Sequence, residues 1–198
     1  MITARDMKKI KEFSLHLDWD VAFSGRSKGN RHLFRVRDIA LMLSRKEGGR
    51  KDVIEAASWL HNVGLIYGDK GHDVRGRRVA QKFLSKLKLQ HDEINQILHC
   101  IEAHEGNVKA ASKEAMVVHD ADVLDKMGPL GIIRQTWKLA NSGFPTERIC
   151  KMLRPYLLRR KGNLYTETAK TIAAKLDADI KPFFKTLGEQ VQLKFNAP

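Results

Sequence analysis

Ala56-Ala57-Ser58-Trp59-Leu60-His61-Asn62-Val63-Gly64 is the stretch on which the reading of this chain turns. It reads as the end of a helix over about 52–62, opened by Asp52 as N-cap and closed into a glycine-containing loop over about 63–71. His61 lies four positions after Ala57 and seven after Ile54, so it shares their apolar face. A helix that aims an imidazole into its own buried side needs a partner for that imidazole.

The pattern on either side is helical as well. Upstream, a helix is expected at about 4–16, then a polar loop from Ser24 to Asn30, then a helix at about 31–46 with Leu33, Val36, Ile39, Ala40 and Leu43 apolar. Gly48-Gly49 stops it. Downstream, helices are expected at about 72–86 and 91–104, with Ile94, Ile97, Leu98 and Ile101 on one face of the second. A loop over about 105–112 leads to a helix at about 113–126; Gly128-Pro129 breaks the chain before another at about 130–141. The tail reads as helices at about 145–158, 164–176 and 178–188. Val, Ile and Thr form no alternating runs bounded by turns, so strands are not indicated. The expected fold class is all-α: a compact helical bundle over 1–144 with a helical C-terminal extension, 145–198, packed on it.

Composition narrows the function classes. A chain of 198 residues with 42% hydrophobic and 30% charged residues can build a packed core and is not disordered. No apolar run approaches the ~20 residues of a membrane span, and Met1 to Phe13 lacks a signal peptide's apolar centre. A cytoplasmic address is the expectation. Cys100 and Cys150 sit in apolar helical patterns without CxxC spacing, so reduced thiols are expected. The net charge is +13, denser over 147–198, where 11 Lys and Arg face 5 Asp and Glu. That balance favours anionic partners such as nucleotides, other phosphorylated metabolites or nucleic acid, although no nucleic-acid motif accompanies it. Trp59, Trp137 and Phe183-Phe184 lie at helical spacing from other apolar residues, which favours packing over base stacking.

His61 is not alone in facing inward. His32 precedes Val36 by four and Ile39 by seven, His104 follows Ile97 by seven, and Asp122 follows Val118 by four. Any one of these reads more simply as a satisfied core histidine or a capping carboxylate. A buried carboxylate needs a partner or a cation, and neutral imidazoles with a carboxylate suit Mn, Fe, Co, Ni or Zn. Spacing alone does not show that they converge.

Five segments in order carry a resemblance. Arg31 to Val36 resembles the HxxxV start of HD-domain proteins, and Ala56 to Gly64 resembles their "AAxLHDxG" helix end. His72, Gly76 and Ala80 resemble "HxxxGxxxA", Ile101 to His104 resembles "IxxH", and Asp120-Ala121-Asp122-Val123-Leu124-Asp125 with Gly128 resembles the closing "DADxLDxxG". The agreement spans about 31–134, just over half of the chain. The resemblance implies an HD-domain-like bundle in which His32, His61, Asn62 and Asp122 hold a metal. It implies that His72 and His104 hold a second ion or contact phosphate. Asp120 is the second choice for the closing ligand, or else caps the start of its helix.

Asn62 stands where the family carries Asp. An amide oxygen ligates weakly, brings no charge and accepts no proton, so one divalent ion is expected rather than two. The function implied is a metal-dependent phosphohydrolase acting on a nucleotide or other small phosphorylated substrate, its activity weakened by Asn62. In that reading His104 or Asp125 handles the proton. His72, Arg75, Arg78 and Arg134 are the candidates for phosphate contact, with Arg77 and Lys70 beside them. Arg134 suits an intramolecular salt bridge equally well. The alternative is a catalytically weak or inactive module that binds nucleotide or RNA, with Arg154, Arg159, Arg160 and Lys161 as its basic tail.

Overall fold

The computed structural model describes residues 1–68, 70–161 and 163–192, with the backbone alone at 159–161. Among the described residues there are nine α-helices and no strand. They are α1 (Ala4–His16), α2 (His32–Glu47), α3 (Lys51–Leu60), α4 (His72–Leu84), α5 (His91–Ala103), α6 (Lys113–Asp125), α7 (Gly128–Asn141), α8 (Thr146–Lys161) and α9 (Glu167–Val191). The chain divides into two compact units, Met1–Asp122 and Val123–Pro198, with the boundary inside α6.

In the first unit α3 is central, packed by α1, α2 and α5, while α4 packs on α5. Val53, Ile54, Ala56, Ala57, Trp59 and Leu60 of α3 are all buried, as the apolar majority of its sequence requires. Trp59 packs edge-on to Phe34 of α2, with ring centroids 5.1 Å apart, as a core residue. The helix starts are tied down by polar side chains. Thr3 Oγ1 accepts from the Asp6 N–H at 3.1 Å, and Gln90 with Glu93 forms a reciprocal cap at α5. Asp52 does not cap α3. The helix begins one residue earlier, at Lys51, with Arg50 in the capping position, and Asp52 instead accepts from the Arg50 guanidinium at 2.9 Å and the Ile2 N–H at 3.2 Å. Arg50 also reaches Glu93 at 2.8 Å and so joins the starts of α3 and α5.

In the second unit α7, α8 and α9 pack on one another. Leu139, Ile149 and Leu153 form a core extended by Ile132, Phe144, Met152 and Phe184. The two helices expected at about 164–176 and 178–188 are one, α9, which keeps Pro182 in its interior. A proline there costs roughly 3 kcal/mol, and the apolar stripe through Ala169, Ala173 and Ile180 carries the helix past it. No helix among the described residues is long and apolar enough to cross a membrane.

Candidate functional site

Two helix ends build the site in the same way. His61 follows the last residue of α3, and its Nδ1 lies 2.8 Å from the Ser58 carbonyl oxygen, three residues back. His104 follows the last residue of α5, and its Nδ1 lies 2.6 Å from the Ile101 carbonyl oxygen, again three residues back. A carbonyl only accepts, so both Nδ1 atoms carry a proton, which leaves Nε2 as the atom that can present a lone pair. The Ser58 carbonyl is available for this because it lies in the last turn of α3, which ends at Leu60, while the Ser58 hydroxyl donates to the Ile54 carbonyl at 2.7 Å.

Each of these imidazoles meets the first residue of another helix. His32 opens α2, and its Nε2 is 3.1 Å from His61 Nε2. His72 opens α4, and its Nε2 is 3.0 Å from His104 Nε2. A carboxylate closes each pair. Asp122 Oδ1 lies 3.4 Å from His32 Nε2 and 3.6 Å from His61 Nε2. Glu105 Oε1 lies 3.7 Å from His72 Nε2 and 3.8 Å from His104 Nε2. In each trio the three ligand atoms lie within 4.8 Å of one another. The pairs adjoin, since the His61 and His104 rings meet edge-on with centroids 5.1 Å apart.

Two imidazole nitrogens at about 3 Å with a lone pair on at least one of them require a proton or a cation between them. The donor set of two nitrogens and one carboxylate oxygen suits a divalent transition ion, so the residues present fit the metal that the sequence implies. His32, His61, Asp122, His72 and His104 are all buried. Burial drives the His104 pKa down to about 3, helped by neighbouring His61 and His72 and opposed by Asp122 and Glu105, so the imidazole stays neutral. Asp73, beside His72, accepts from the Asn107 amide at 2.9 Å. Burial works to raise its pKa, but that bond, the Val74 N–H and the nearby His104 and His72 outweigh it, and the carboxyl lies below its ordinary value.

The other expected residues are distributed more widely. Asn62 is buried in the turn after His61, where its carbonyl accepts from the Leu65 N–H at 2.9 Å. Arg75 turns back onto the carbonyls of Gly68 and Lys70 and so braces the loop before α4. Arg77 pairs with Glu102 of α5 at 3.0 Å, and Arg78 is exposed. Asp125 is buried and paired with Arg134, both within the second unit. Asp120 is buried seven residues into α6 and caps no helix start, because the helix begins at Lys113. Arg154 is exposed, and the side chains of Arg159, Arg160 and Lys161 lie outside the described residues.

Sequence reasoning missed Glu105, Asp73 and His119. His119 is buried and holds the His104 carbonyl at 2.8 Å through Nδ1. The available signal for Glu105 was its position directly after His104, where the helix had already ended.

The HD-domain family profile matches residues 30–127. Comparison with curated proteins returned no match. Among solved structures, Bacillus subtilis YpgQ aligns at TM-score 0.75 and 20% identity over 96% of this chain and 97% of that one. YpgQ was also solved in complex with ADP. A Lactobacillus plantarum protein aligns at TM-score 0.74 and 24% identity over 98% and 100%. An HD-superfamily hydrolase from Bacillus thuringiensis aligns at 0.73 and 25% over 94% and 96%. With the all-helical fold and the paired histidines above, the family match identifies residues 30–127 as an HD domain.

Proposed function

We propose that this chain is a metal-dependent phosphohydrolase acting on a nucleotide or another small phosphorylated substrate, with one divalent transition ion held by His32, His61 and Asp122. The observation that carries this reading is the convergence of those three side chains, drawn from α2, the end of α3 and α6, to within 4.8 Å. The ADP complex of YpgQ and the hydrolase name of the Bacillus thuringiensis relative support the substrate class and the reaction. When bound, the ion supplies Lewis acidity toward a phosphoryl oxygen and acidifies water.

The chain's own residues do the rest. The Ser58 carbonyl fixes the tautomer and orientation of His61, and the Ile101 carbonyl does the same for His104. His104, whose Nε2 faces the cluster, is the candidate to handle the proton, and burial that disfavours its charged form makes it a weak base there. His72 contributes to phosphate binding only if a proton or a cation sits at its Nε2, because two lone pairs repel. Arg75 and Arg77 are committed to loop carbonyls and to Glu102, whereas Arg78 is exposed, which makes it the leading phosphate contact. Metal analysis combined with a phosphate-release screen over nucleotides, on this chain and on Asn62→Asp, tests the reading. Bound transition metal in at least the Asn62→Asp variant, with turnover rising alongside it, is the expected result. No metal and no turnover in either protein overturns the reading.

A second reading is favoured by neutral Asn62 and the charge of +13: a module that binds nucleotide or RNA without turning it over. Affinity for RNA that falls steeply with salt, with no phosphate release, distinguishes it.

A further inference from the structure

Away from the histidine cluster, the first unit gathers positive charge at a second place. A cavity of about 510 Å³ lies where α1 and α3 begin, walled by Thr3 and Ala4 at one helix start and by Lys51 and Asp52 at the other. No residue of either histidine trio lines it. The N-terminal end of each helix adds partial positive charge. Lys8, Lys11, Lys51 and Arg37 bring four cations to the wall, against the carboxylates of Asp52 and Glu55. Both carboxylates are already engaged, Asp52 by the Arg50 guanidinium at 2.9 Å and Glu55 by Arg37 at 3.4 Å. Lys8 lies 3.8 Å from Glu12, whereas Lys11 and Lys51 have no carboxylate partner among the described residues. Lys11 stands instead over the rings of Phe34 and Trp59, 5.2 and 5.4 Å from their centroids, a contact that holds its ammonium in place. Trp59 also forms part of the wall, and although it is 1% exposed its Nε1 has no hydrogen-bond partner. A buried donor without an acceptor is costly, and an acceptor oxygen carried in by a ligand would remove that cost.

We propose that this cavity binds a small phosphate-bearing anion, with Lys11 and Lys51 as its counter-charges and the Trp59 indole N–H as a donor to one of its oxygens. A phosphate group offers several strong acceptor oxygens and more than one negative charge, which matches two ammonium groups without carboxylates and one N–H without an acceptor. The cavity lies along the helix that ends just before His61, yet it shares no residue with the histidine cluster. It is therefore separate from the place of phosphoryl chemistry proposed above and does not depend on that reading.

The experiment titrates the full chain, isotope-labelled for proton–nitrogen correlation NMR, with inorganic pyrophosphate in the presence of EDTA, which keeps divalent ions out of the histidine cluster. Trp19, Trp59 and Trp137 give three indole N–H signals, and Trp59→Phe identifies the one that belongs to Trp59. That signal should move saturably at millimolar or lower pyrophosphate, while the signal of Trp19, whose Nε1 already donates to the Asn30 carbonyl at 2.9 Å, stays in place. Lys11→Gln combined with Lys51→Gln should weaken binding at least about tenfold. Glu55→Gln, which removes a carboxylate from the wall, should tighten it. Arg78→Ala should leave the affinity unchanged, because Arg78 does not line the cavity. Circular dichroism verifies each fold, and if the double variant unfolds, Lys51→Gln alone, at an exposed position, carries the test through a smaller loss of affinity. Repeating the titration with ADP separates two sources of the same chemistry. Affinity equal to that of pyrophosphate assigns the site to the phosphate groups alone, and tighter binding assigns it to a nucleotide; both uphold the proposal. No saturable movement of the Trp59 signal, or wild-type affinity in the lysine variants, overturns it. A movement abolished by Arg78→Ala and kept by the lysine variants also overturns it, by assigning the anion to the histidine cluster.

Discussion

Asp122 is fully buried beside two imidazoles, and its carboxylate is tolerable there only while positive charge or hydrogen-bond donors face it. Replacing it with Asn keeps the shape and removes the charge. Asp122→Asn should therefore abolish high-affinity metal binding at the His32–His61 pair and phosphate release with it, while the variant remains folded; dialysis with metal counting and a thermal melt measure the two effects. Asp125 is a different kind of carboxylate. It is buried against Arg134, whose side chain is 28% exposed. Arg134→Ala removes a cation from that buried carboxylate and should cost on the order of 2 kcal/mol, less than a fully buried pair would, read as a lower denaturation midpoint. A drop in turnover without loss of stability would instead place Arg134 at the substrate.

At the scale of elements, the site depends on how closely α4 approaches the turn after α3. Gly64 lies so near α4 that an added Cβ would collide with the His72 carbonyl oxygen and come within 2.6 Å of the Gly76 nitrogen and 2.9 Å of its Cα. These are backbone atoms, so the collision cannot be relieved by a rotamer change. Gly64→Ala should push the start of α4 away and cost about 2–3 kcal/mol. It should also weaken metal binding, because His72 and the turn carrying His61 and Asn62 flank the contact; a melting curve and a Mn2+ titration of one sample test both. Elements also explain what the sequence could and could not disclose. His32, His61, His104 and Asp122 were legible because each lies within or at the end of a helix, where a repeat of 3.6 residues fixes direction. Glu105 was not, since α5 ends at Ala103 and the periodicity no longer says where a side chain points. The continuity of α9 was hidden for a related reason. The polar Asp177 falls between the two expected helices, whereas it is buried in α9 and the apolar stripe runs through.

At the scale of the whole molecule, several carboxylates are held below their ordinary pKa. For Glu93 the N-terminal amine and the Arg50 guanidinium outweigh burial. For Asp52 and Glu114 burial opposes, and hydrogen bonds from Arg50 and backbone N–H groups prevail. A carboxyl whose folded pKa is depressed adds stability that is fully present above its unfolded value of about 4 and is lost as pH falls through the folded one. Stability should thus be flat toward neutrality and decline below about pH 4, as denaturant titrations at successive pH values would register. Arg50→Met should shrink that decline, since it removes the cation shared by Asp52 and Glu93.

The two compact units each contain one cysteine, Cys100 in the first and Cys150 in the second. Cys100 is wholly enclosed, and burial together with nearby Glu114 raises its thiol well above the usual range, while Cys150 is only partly covered. Alkylation proceeds through the thiolate, so the pair forms a built-in clock. Cys150 should label quickly in the native protein, and Cys100 at the rate at which its unit opens. Peptide mapping of a pulse-labelled sample would time the opening of each unit separately, and a metal ion bound in the first should slow Cys100 while leaving the rate at Cys150 unchanged.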